Sequence, residues 1–209
     1  MKTLLSKVFL ILLCLSISTY AVNASEMNAN NDNFHHISDG GADAQVVLYV
    51  FTNLLCGHCA KLSIDTLPKL KKQYTESQLR VVYIDMPYSQ LKISVAAHSL
   101  LHQTVDDQQA INLSLFLYKN QGKWKTNEDL KKFAVLAGIS SANVDLAMHN
   151  TKLHNRIVSD AKKYSKQLDI SGTPTLFLVP KGSELSKQSK RINGAVEVEV
   201  LKDAIDELL

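Results

Sequence analysis

The chain has 209 residues, of which 45% are hydrophobic, with 23 basic against 20 acidic side chains. This length suits one domain of ordinary size with a substantial core, and no second domain is required. The formal net charge of +3 is close to neutral, so the sequence gives no electrostatic reason to expect nucleic-acid binding.

The first 24 residues have the pattern of an export signal. Lys2 and Lys7 precede an apolar run over residues 8–15, and small residues follow near Ala24. That run is shorter than the roughly 20 residues that a membrane-spanning helix needs. We therefore predict that residues 1–24 are a cleaved signal peptide rather than a membrane anchor, and that the protein is periplasmic.

Cleavage of this segment changes two counts. The formal net charge falls from +3 to +1, because two lysines and no acidic residue are removed. Cys14 is removed as well, so Cys56 and Cys59 remain as the only cysteines of the mature chain. No disulfide is then possible within one chain beyond that pair.

Residues 25–44 are rich in Asn, Asp and Gly and contain few apolar side chains. This composition predicts a flexible N-terminal extension, because too little apolar surface is available to hold the segment in place. Phe34 and Ile37 are exceptions that could contribute to a contact between two copies, so a homodimer is possible.

Two apolar runs and the helix between them predict a parallel strand pair. Residues 46–51 and 80–85 are largely apolar at consecutive positions, which is typical of strands covered on both faces. Leucines recur at helical spacing after residue 60, and Pro68 is expected to kink this helix. A strand, a helix and a strand in this order form a right-handed unit.

Residues 90–169 show helical patterning without a strand signal. Asn127 and Ser141 are placed to cap two of these helices. His98 and His102 lie four residues apart on a predicted helix, a spacing that can bind a metal, but no carboxylate or third ligand is evident beside them. We therefore expect both histidines at the surface or between domains.

Residues 170–209 return to strand patterning. Residues 175–179 predict a strand, and residues 191–194 predict a short second strand that forms a hairpin with it. Residues 197–209 then predict an amphipathic helix. The helical block therefore lies between two halves of another unit.

The motif Cys56-Gly57-His58-Cys59 lies between the first predicted strand and the helix that follows it. The thiolate of a cysteine at a helix N-terminus is stabilised, which favours redox chemistry. The same spacing supplies half of a zinc site, but the mature chain has no second cysteine pair that would complete one.

Together with Thr173 and Pro174 directly before a predicted strand, this motif resembles the active site of the DsbA-like thiol-disulfide oxidoreductases of the thioredoxin superfamily. The resemblance covers about residues 45–209 and implies an α/β thioredoxin fold with an inserted helical domain. The thioredoxin-like domain would consist of residues 45–89 and 170–209, and the helical insertion domain of residues 90–169.

The resemblance also implies a role for each residue of the site. Cys56 would be the nucleophile, with a depressed pKa, and Cys59 would be the buried resolving thiol. His58 would tune the pair by donating to the Cys56 thiolate. Pro174 would follow a cis peptide bond against the cysteine pair, and the backbone of Thr173 would pair with an extended substrate segment. No cofactor is implied.

The implied partners are unfolded or partly folded exported proteins with free thiols, and a membrane redox partner that recycles the cysteine pair. Three residues depart from the pattern. Val50 stands where thioredoxin-like proteins commonly carry a buried acid, and Gly57 and Thr173 are closer to protein disulfide isomerases. A disulfide isomerase or reductase acting as a dimer therefore remains an alternative, as does a Cu(I)- or Zn-binding module that uses the thiols and imidazole of the motif.

Overall fold

The computed structural model describes residues 34–209. In this part of the chain, helices pack on both faces of a five-stranded sheet. The predicted signal peptide, residues 1–24, lies outside the described residues, as do residues 25–33 of the predicted extension. None of the helices in residues 34–209 is long and apolar enough to cross a bilayer.

The strands are β1 Ser38–Asp39, β2 Val46–Thr52, β3 Leu79–Asp85, β4 Thr175–Pro180 and β5 Lys190–Asn193. Across the sheet they lie in the order β1-β3-β2-β4-β5. Strands β2 and β3 pair in parallel, as the sequence predicts, and the remaining neighbours pair antiparallel. The predicted hairpin near the C-terminus is the β4–β5 pair.

The helices fall into three groups along the chain. Between β2 and β3 lie α1 Gly57–Lys61, a π-helical turn Leu62–Thr66 and α2 Leu67–Lys71. After β3 come α3 Lys92–Leu101, α4 Asp107–Lys119, α5 Asn127–Leu136, α6 Ser141–His149 and α7 Thr151–Leu168, and α8 Val198–Asp206 follows β5. The block from α3 to α7 corresponds to the predicted helical insertion, and its division from the rest as a separate domain stays a prediction.

Strand β2 lies in the middle of the sheet, and both of its faces are covered. Val46, Leu48 and Val50 belong to a core cluster that α2 and α8 complete. Phe51 packs on the opposite face with Phe177 and with residues at the end of α7. Because apolar groups are needed on both faces, the strand sequence is apolar at consecutive positions rather than alternating.

The helical segment after Cys56 changes geometry ahead of Pro68. A π-helical turn over Leu62–Thr66 directly precedes the α2 turn that contains Pro68. Pro68 has no N–H to donate, and the wider turn accommodates that missing hydrogen bond. The Thr66 hydroxyl donates to the Val196 carbonyl at 2.9 Å and so ties this turn to the loop before α8.

The structure corrects the prediction of a flexible extension for residues 34–44. Strand β1 adds to the sheet edge beside β3, and Ile37 is buried. Gly40 permits the close approach: its φ is +106°, and a Cβ at this position would lie 2.3 Å from the Leu79 carbonyl oxygen. Backbone pairing and this close approach hold the segment in place, and the polar composition of residues 25–44 reveals neither.

Phe34 and Ile37 make their contacts within the chain. The Phe34 ring lies 4.8 Å from the His102 ring, centroid to centroid, and the Arg156 guanidinium lies 5.0 Å from the Phe34 centroid. Ile37 belongs to the core of the helical block. The dimer contact was predicted because Phe34 and Ile37 are apolar residues in a polar segment, and both now have partners within the chain. A homodimer therefore stays a prediction without assigned residues.

Two predicted helix caps are displaced by one residue. Thr126, rather than Asn127, caps α5 and forms a capping box with Asp129. Ser140, rather than Ser141, caps α6. In both places adjacent residues have capping side chains, and the one whose oxygen reaches the backbone N–H three residues later is the cap.

Candidate active site

The loop after β2 brings Cys56 to the start of the helical segment. Cys56 is the N-cap residue of α1, with φ −90° and ψ 119°. Cys59 follows one turn later and is completely buried, whereas Cys56 retains 9% exposure. Both are free thiols in this structure. One sulfur therefore borders solvent and the other is enclosed.

The loop that contains Thr173 and Pro174 packs against Cys56. The peptide bond between these two residues is cis, as the resemblance to the DsbA-like proteins implied. The Cys56 thiol donates a hydrogen bond to the Thr173 carbonyl oxygen at 3.3 Å. Burial raises the pKa of Cys56, but the Thr173 side chain and the backbone N–H groups of Cys59 and His58 outweigh burial, so the net pKa is lowered.

Burial has the opposite result at Cys59. It raises the pKa of Cys59 to about 11, although the side chains of Thr52 and Thr173 partly offset it. The backbone N–H of Asn53 also lies 3.5 Å from the Cys59 sulfur. An accessible thiol of lowered pKa next to an enclosed thiol of raised pKa can exchange disulfides in two successive steps.

The side chain of His58 is exposed. His58 acts on the pKa of Cys56 through its backbone N–H, and donation from its imidazole to the thiolate stays a prediction. Within residues 34–209, no group of three or more His, Cys, Asp and Glu side chains is arranged to hold a metal ion. The structure thus adds no support to the Cu(I) or Zn alternative.

The structure corrects one of the two positions predicted for His98 and His102: their side chains are not at the surface but enclosed around Asp85. Because Asp85 belongs to segment 45–89 and the histidines to segment 90–169, the alternative of a position between the two predicted domains agrees with these contacts. The two oxygens of Asp85 contact His98 Nδ1 and His102 Nε2, each at 2.6 Å. Burial raises the pKa of Asp85, but the two histidines outweigh burial and hold it well below its usual range. Asp85 ends β3, so tertiary packing, rather than proximity in sequence, supplies the carboxylate that appeared to be missing.

His98 also fixes the loop that precedes Cys56. The Leu54 N–H donates to His98 Nε2 at 3.3 Å. Because Nε2 accepts this hydrogen bond, the proton of the neutral ring lies on Nδ1 and is donated to Asp85. The loop is therefore linked through α3 to the end of β3. The spacing of the histidines was a signal for a shared partner, but the sequence did not identify Asp85 as that partner.

Gln121 holds the same loop from the turn after α4. Its side-chain amide donates to the Leu54 carbonyl at 2.8 Å and to the Cys56 carbonyl at 3.1 Å. Within the loop, the Asn53 side chain accepts from the Leu55 N–H at 2.8 Å. Nothing in the sequence pattern around Gln121 indicates this contact.

Comparison with known proteins places the chain in a family. A family model described as thioredoxin matches residues 32–206. The chain is 23% identical over 143 residues to a protein of Rickettsia typhi and 22% identical over 170 residues to one of Rickettsia prowazekii, and the names of both refer to protein-disulfide oxidoreductases. These matches cover 66% and 78% of this chain but only 53% and 62% of the relatives, so the chain spans less than two thirds of their length.

Solved structures show the same architecture. The α-DsbA1 protein of Wolbachia pipientis superimposes with a TM-score of 0.73 at 18% identity, covering 83% of this chain and 90% of that one. Oxidised BdbD of Bacillus subtilis superimposes with a TM-score of 0.67 at 16% identity, covering 83% and 92%. The predicted α/β thioredoxin fold with inserted helices is thereby confirmed. The chain belongs to the thioredoxin family and has the fold of its DsbA-like members.

Proposed function

We propose that this protein is a thiol-disulfide oxidoreductase that introduces disulfides into exported proteins through Cys56 and Cys59. The observation that carries the proposal is the placement of the two thiols: Cys56 is the N-cap of α1 and contacts the Thr173 carbonyl at 3.3 Å, whereas Cys59 is completely buried. The pKa is accordingly lowered at Cys56 and raised at Cys59. A lowered pKa makes Cys56 a good nucleophile and leaving group, while a raised pKa keeps Cys59 protonated in the reduced protein. The names of the Rickettsia relatives support the same class of reaction.

In the proposed reaction, a client thiolate attacks the Cys56 sulfur of the oxidised protein. The Cys56–Cys59 bond breaks, its electron pair goes to the Cys59 sulfur, which takes up a proton, and the client becomes joined to Cys56. A second thiolate of the client then attacks the client sulfur of this mixed disulfide and releases Cys56 as a thiolate. The client loses two electrons, and the protein gains them.

The lowered pKa of Cys56 favours the oxidising direction. Stabilising the thiolate stabilises the reduced protein, so the disulfide becomes a stronger oxidant. An isomerase or reductase runs the same exchange from the reduced protein, and Gly57 and Thr173 are the residues that support this alternative. Repeated oxidation of clients requires a membrane redox partner that recycles the pair. The periplasmic location rests on the predicted signal peptide in residues 1–24.

Transfer of disulfides to reduced ribonuclease tests the proposal. We expect the oxidised protein, in buffer without oxygen, to remove two ribonuclease thiols for each protein disulfide consumed and to restore ribonuclease activity. The Cys56→Ser variant should transfer none. Scrambled ribonuclease incubated with the reduced protein is the control for direction. Recovery of ribonuclease activity from the scrambled substrate, without recovery from the reduced substrate, would show that the protein is an isomerase rather than an oxidase.

A further inference from the structure

The enclosed thiol needs a path for its proton. Cys59 must take up a proton when the internal disulfide opens and must lose one before it can attack a mixed disulfide. Val50, at the position where an acid was expected, is fully buried and cannot exchange a proton. Burial and the contacts with Thr52, Thr173, Asn53 and Cys56 are the largest influences on the pKa of Cys59, and none of these five is a carboxylate.

Two hydroxyl groups lead away from the Cys59 sulfur. The Thr52 side chain lowers the pKa of Cys59, and the backbone nitrogen of the next residue, Asn53, lies 3.5 Å from the Cys59 sulfur. The Thr52 hydroxyl also lies 2.6 Å from the Tyr118 hydroxyl, and either of them can be the donor. The Ser63 side chain also lowers the pKa of Tyr118. Thr52 and Tyr118 are both buried, at 7% and 4% exposure.

This chain of hydroxyls ends at a cavity of about 320 Å³, which Thr52, Ser63 and Tyr118 line. A water molecule occupies roughly 30 Å³ of liquid, so this volume is sufficient for several. The exposed residues Lys72 and Gln108 also line the cavity, which therefore reaches the protein surface. Hydroxyl groups on the wall provide the polar partners that ordered water requires.

We propose that Thr52 is a catalytic residue that passes the Cys59 proton to and from the cavity, with Tyr118 as the positioning residue that completes the hydroxyl chain. This inference rests on the proposed function and replaces the acid that is absent at Val50. When the internal disulfide opens, the Thr52 hydroxyl donates its proton to the Cys59 thiolate and receives one from Tyr118, which is reprotonated from water in the cavity. When Cys59 attacks a mixed disulfide, each transfer runs in reverse.

Asp85 and His98 line the same cavity but do not serve as the acceptor. The Asp85 carboxylate already accepts from His98 and His102, and its pKa is held well below its usual range, so it stays ionised and takes up no proton near neutral pH. The nitrogens of His98 are both occupied, one by Asp85 and the other by the Leu54 N–H. The proton therefore continues to water in the cavity.

The test separates the two steps of exchange in the full chain. Reduced protein is mixed with glutathione disulfide, and acid-quenched samples are resolved by mass to follow formation of the glutathione adduct at Cys56 and then its resolution by Cys59. We expect Thr52→Val to form the adduct at the wild-type rate and to resolve it about tenfold more slowly or worse, since general acid-base catalysis contributes at least this much.

Three further variants control the result. Thr52→Ser retains the hydroxyl and should restore fast resolution. Tyr118→Phe removes one oxygen and should slow resolution without changing adduct formation, which keeps the inference testable if Thr52→Val fails to fold. Ser114→Ala is the matched control, because Ser114 lines the same cavity but bonds the Ile111 carbonyl in its own helix at 2.8 Å.

The possible outcomes distinguish this inference from the proposed function. Resolution at the wild-type rate in Thr52→Val, or in Tyr118→Phe where the first variant does not fold, would overturn the hydroxyl relay and leave the proposed function intact. Equal slowing in Ser114→Ala would also overturn the relay, because it would assign the effect to the cavity wall in general. Failure of the reduced wild-type protein to form either the glutathione adduct or the internal Cys56–Cys59 disulfide would overturn the proposed function and the relay together.

Discussion

Cys56 and Cys59 lie one helical turn apart, yet they differ in exposure, in their neighbouring groups and in the direction of their pKa shift. The region around Cys56 is built by a loop, with the Thr173 side chain and backbone N–H groups near a sulfur that borders solvent. The region around Cys59 is built by the end of β2 and by α4, which enclose the sulfur completely. The pKa is lowered in the first region and raised in the second.

This difference shows how one short motif can supply two chemically distinct groups. Both cysteines belong to the same helical segment, so the helix alone does not explain why their pKa values shift in opposite directions. Thr173 is 117 residues from Cys56, and Tyr118 is 66 residues from Thr52. The division of labour between the thiols is therefore a product of distant parts of the chain, and substitutions in each region should affect one thiol more than the other.

The largest effect should come from removing the enclosed thiol. In Cys59→Ser, Cys56 should still attack a disulfide, but the mixed disulfide should persist for about three orders of magnitude longer or more, because the intramolecular nucleophile is lost. Adduct lifetime followed by mass spectrometry is the measurement. Cys56→Ser should form no adduct at all. Rapid resolution in Cys59→Ser would show that the two regions do not have separate roles.

Breaking the buried cluster behind the active-site loop should mainly affect stability. In Asp85→Asn, one of the two short contacts to His98 and His102 is lost inside the core, which should lower the free energy of unfolding by about 3 kcal/mol. Urea unfolding is the measurement, and Asp65→Asn, at an exposed position, is the control. Equal stability of the two variants would contradict the cluster's structural role.

The lowered pKa of Asp85 adds a dependence on pH. A carboxylate whose folded-state pKa lies below its unfolded value contributes stability above the unfolded pKa, here 3.8, and that contribution is lost as the pH falls further. The wild-type protein should therefore lose stability more steeply than Asp85→Asn below about pH 4. If the free energy of unfolding fell equally with pH in the two proteins, Asp85 would not have the lowered pKa that its contacts with the histidines imply.

The smallest of these effects should come from Thr173→Val, which alters the region around Cys56 alone. Loss of the side-chain donor should raise the pKa of Cys56, so that the thiolate population and the rate of attack below that pKa fall by about threefold. Titration of the thiolate by its ultraviolet absorbance is the measurement, with Thr173→Ser as the variant that should retain the donor. An unchanged titration in Thr173→Val would show that the backbone N–H groups, and not the Thr173 side chain, lower the pKa of Cys56.

Much of this arrangement could be predicted because it depends on local pattern. The consecutive apolar residues of β2 and β3 identified strands covered on both faces, and the Cys56 motif together with Thr173 and Pro174 indicated the fold that the comparisons confirm. The predictions that were wrong concern residues whose contacts are with parts of the chain that lie far away in sequence. The segment around Ser38 was predicted to be flexible, because pairing with β3 leaves no trace in its composition.

The sequence by itself determined the motif, its position between a strand and a helix, and the absence of an acid at Val50, since each of these is a property of neighbouring residues. Only the tertiary structure decided which groups surround each sulfur. It brought Thr173 to Cys56, the Thr52–Tyr118 pair to Cys59, and Asp85 to the two histidines of α3. The physical reason is that desolvation and hydrogen bonding act over a few ångströms of space, whatever the separation along the chain.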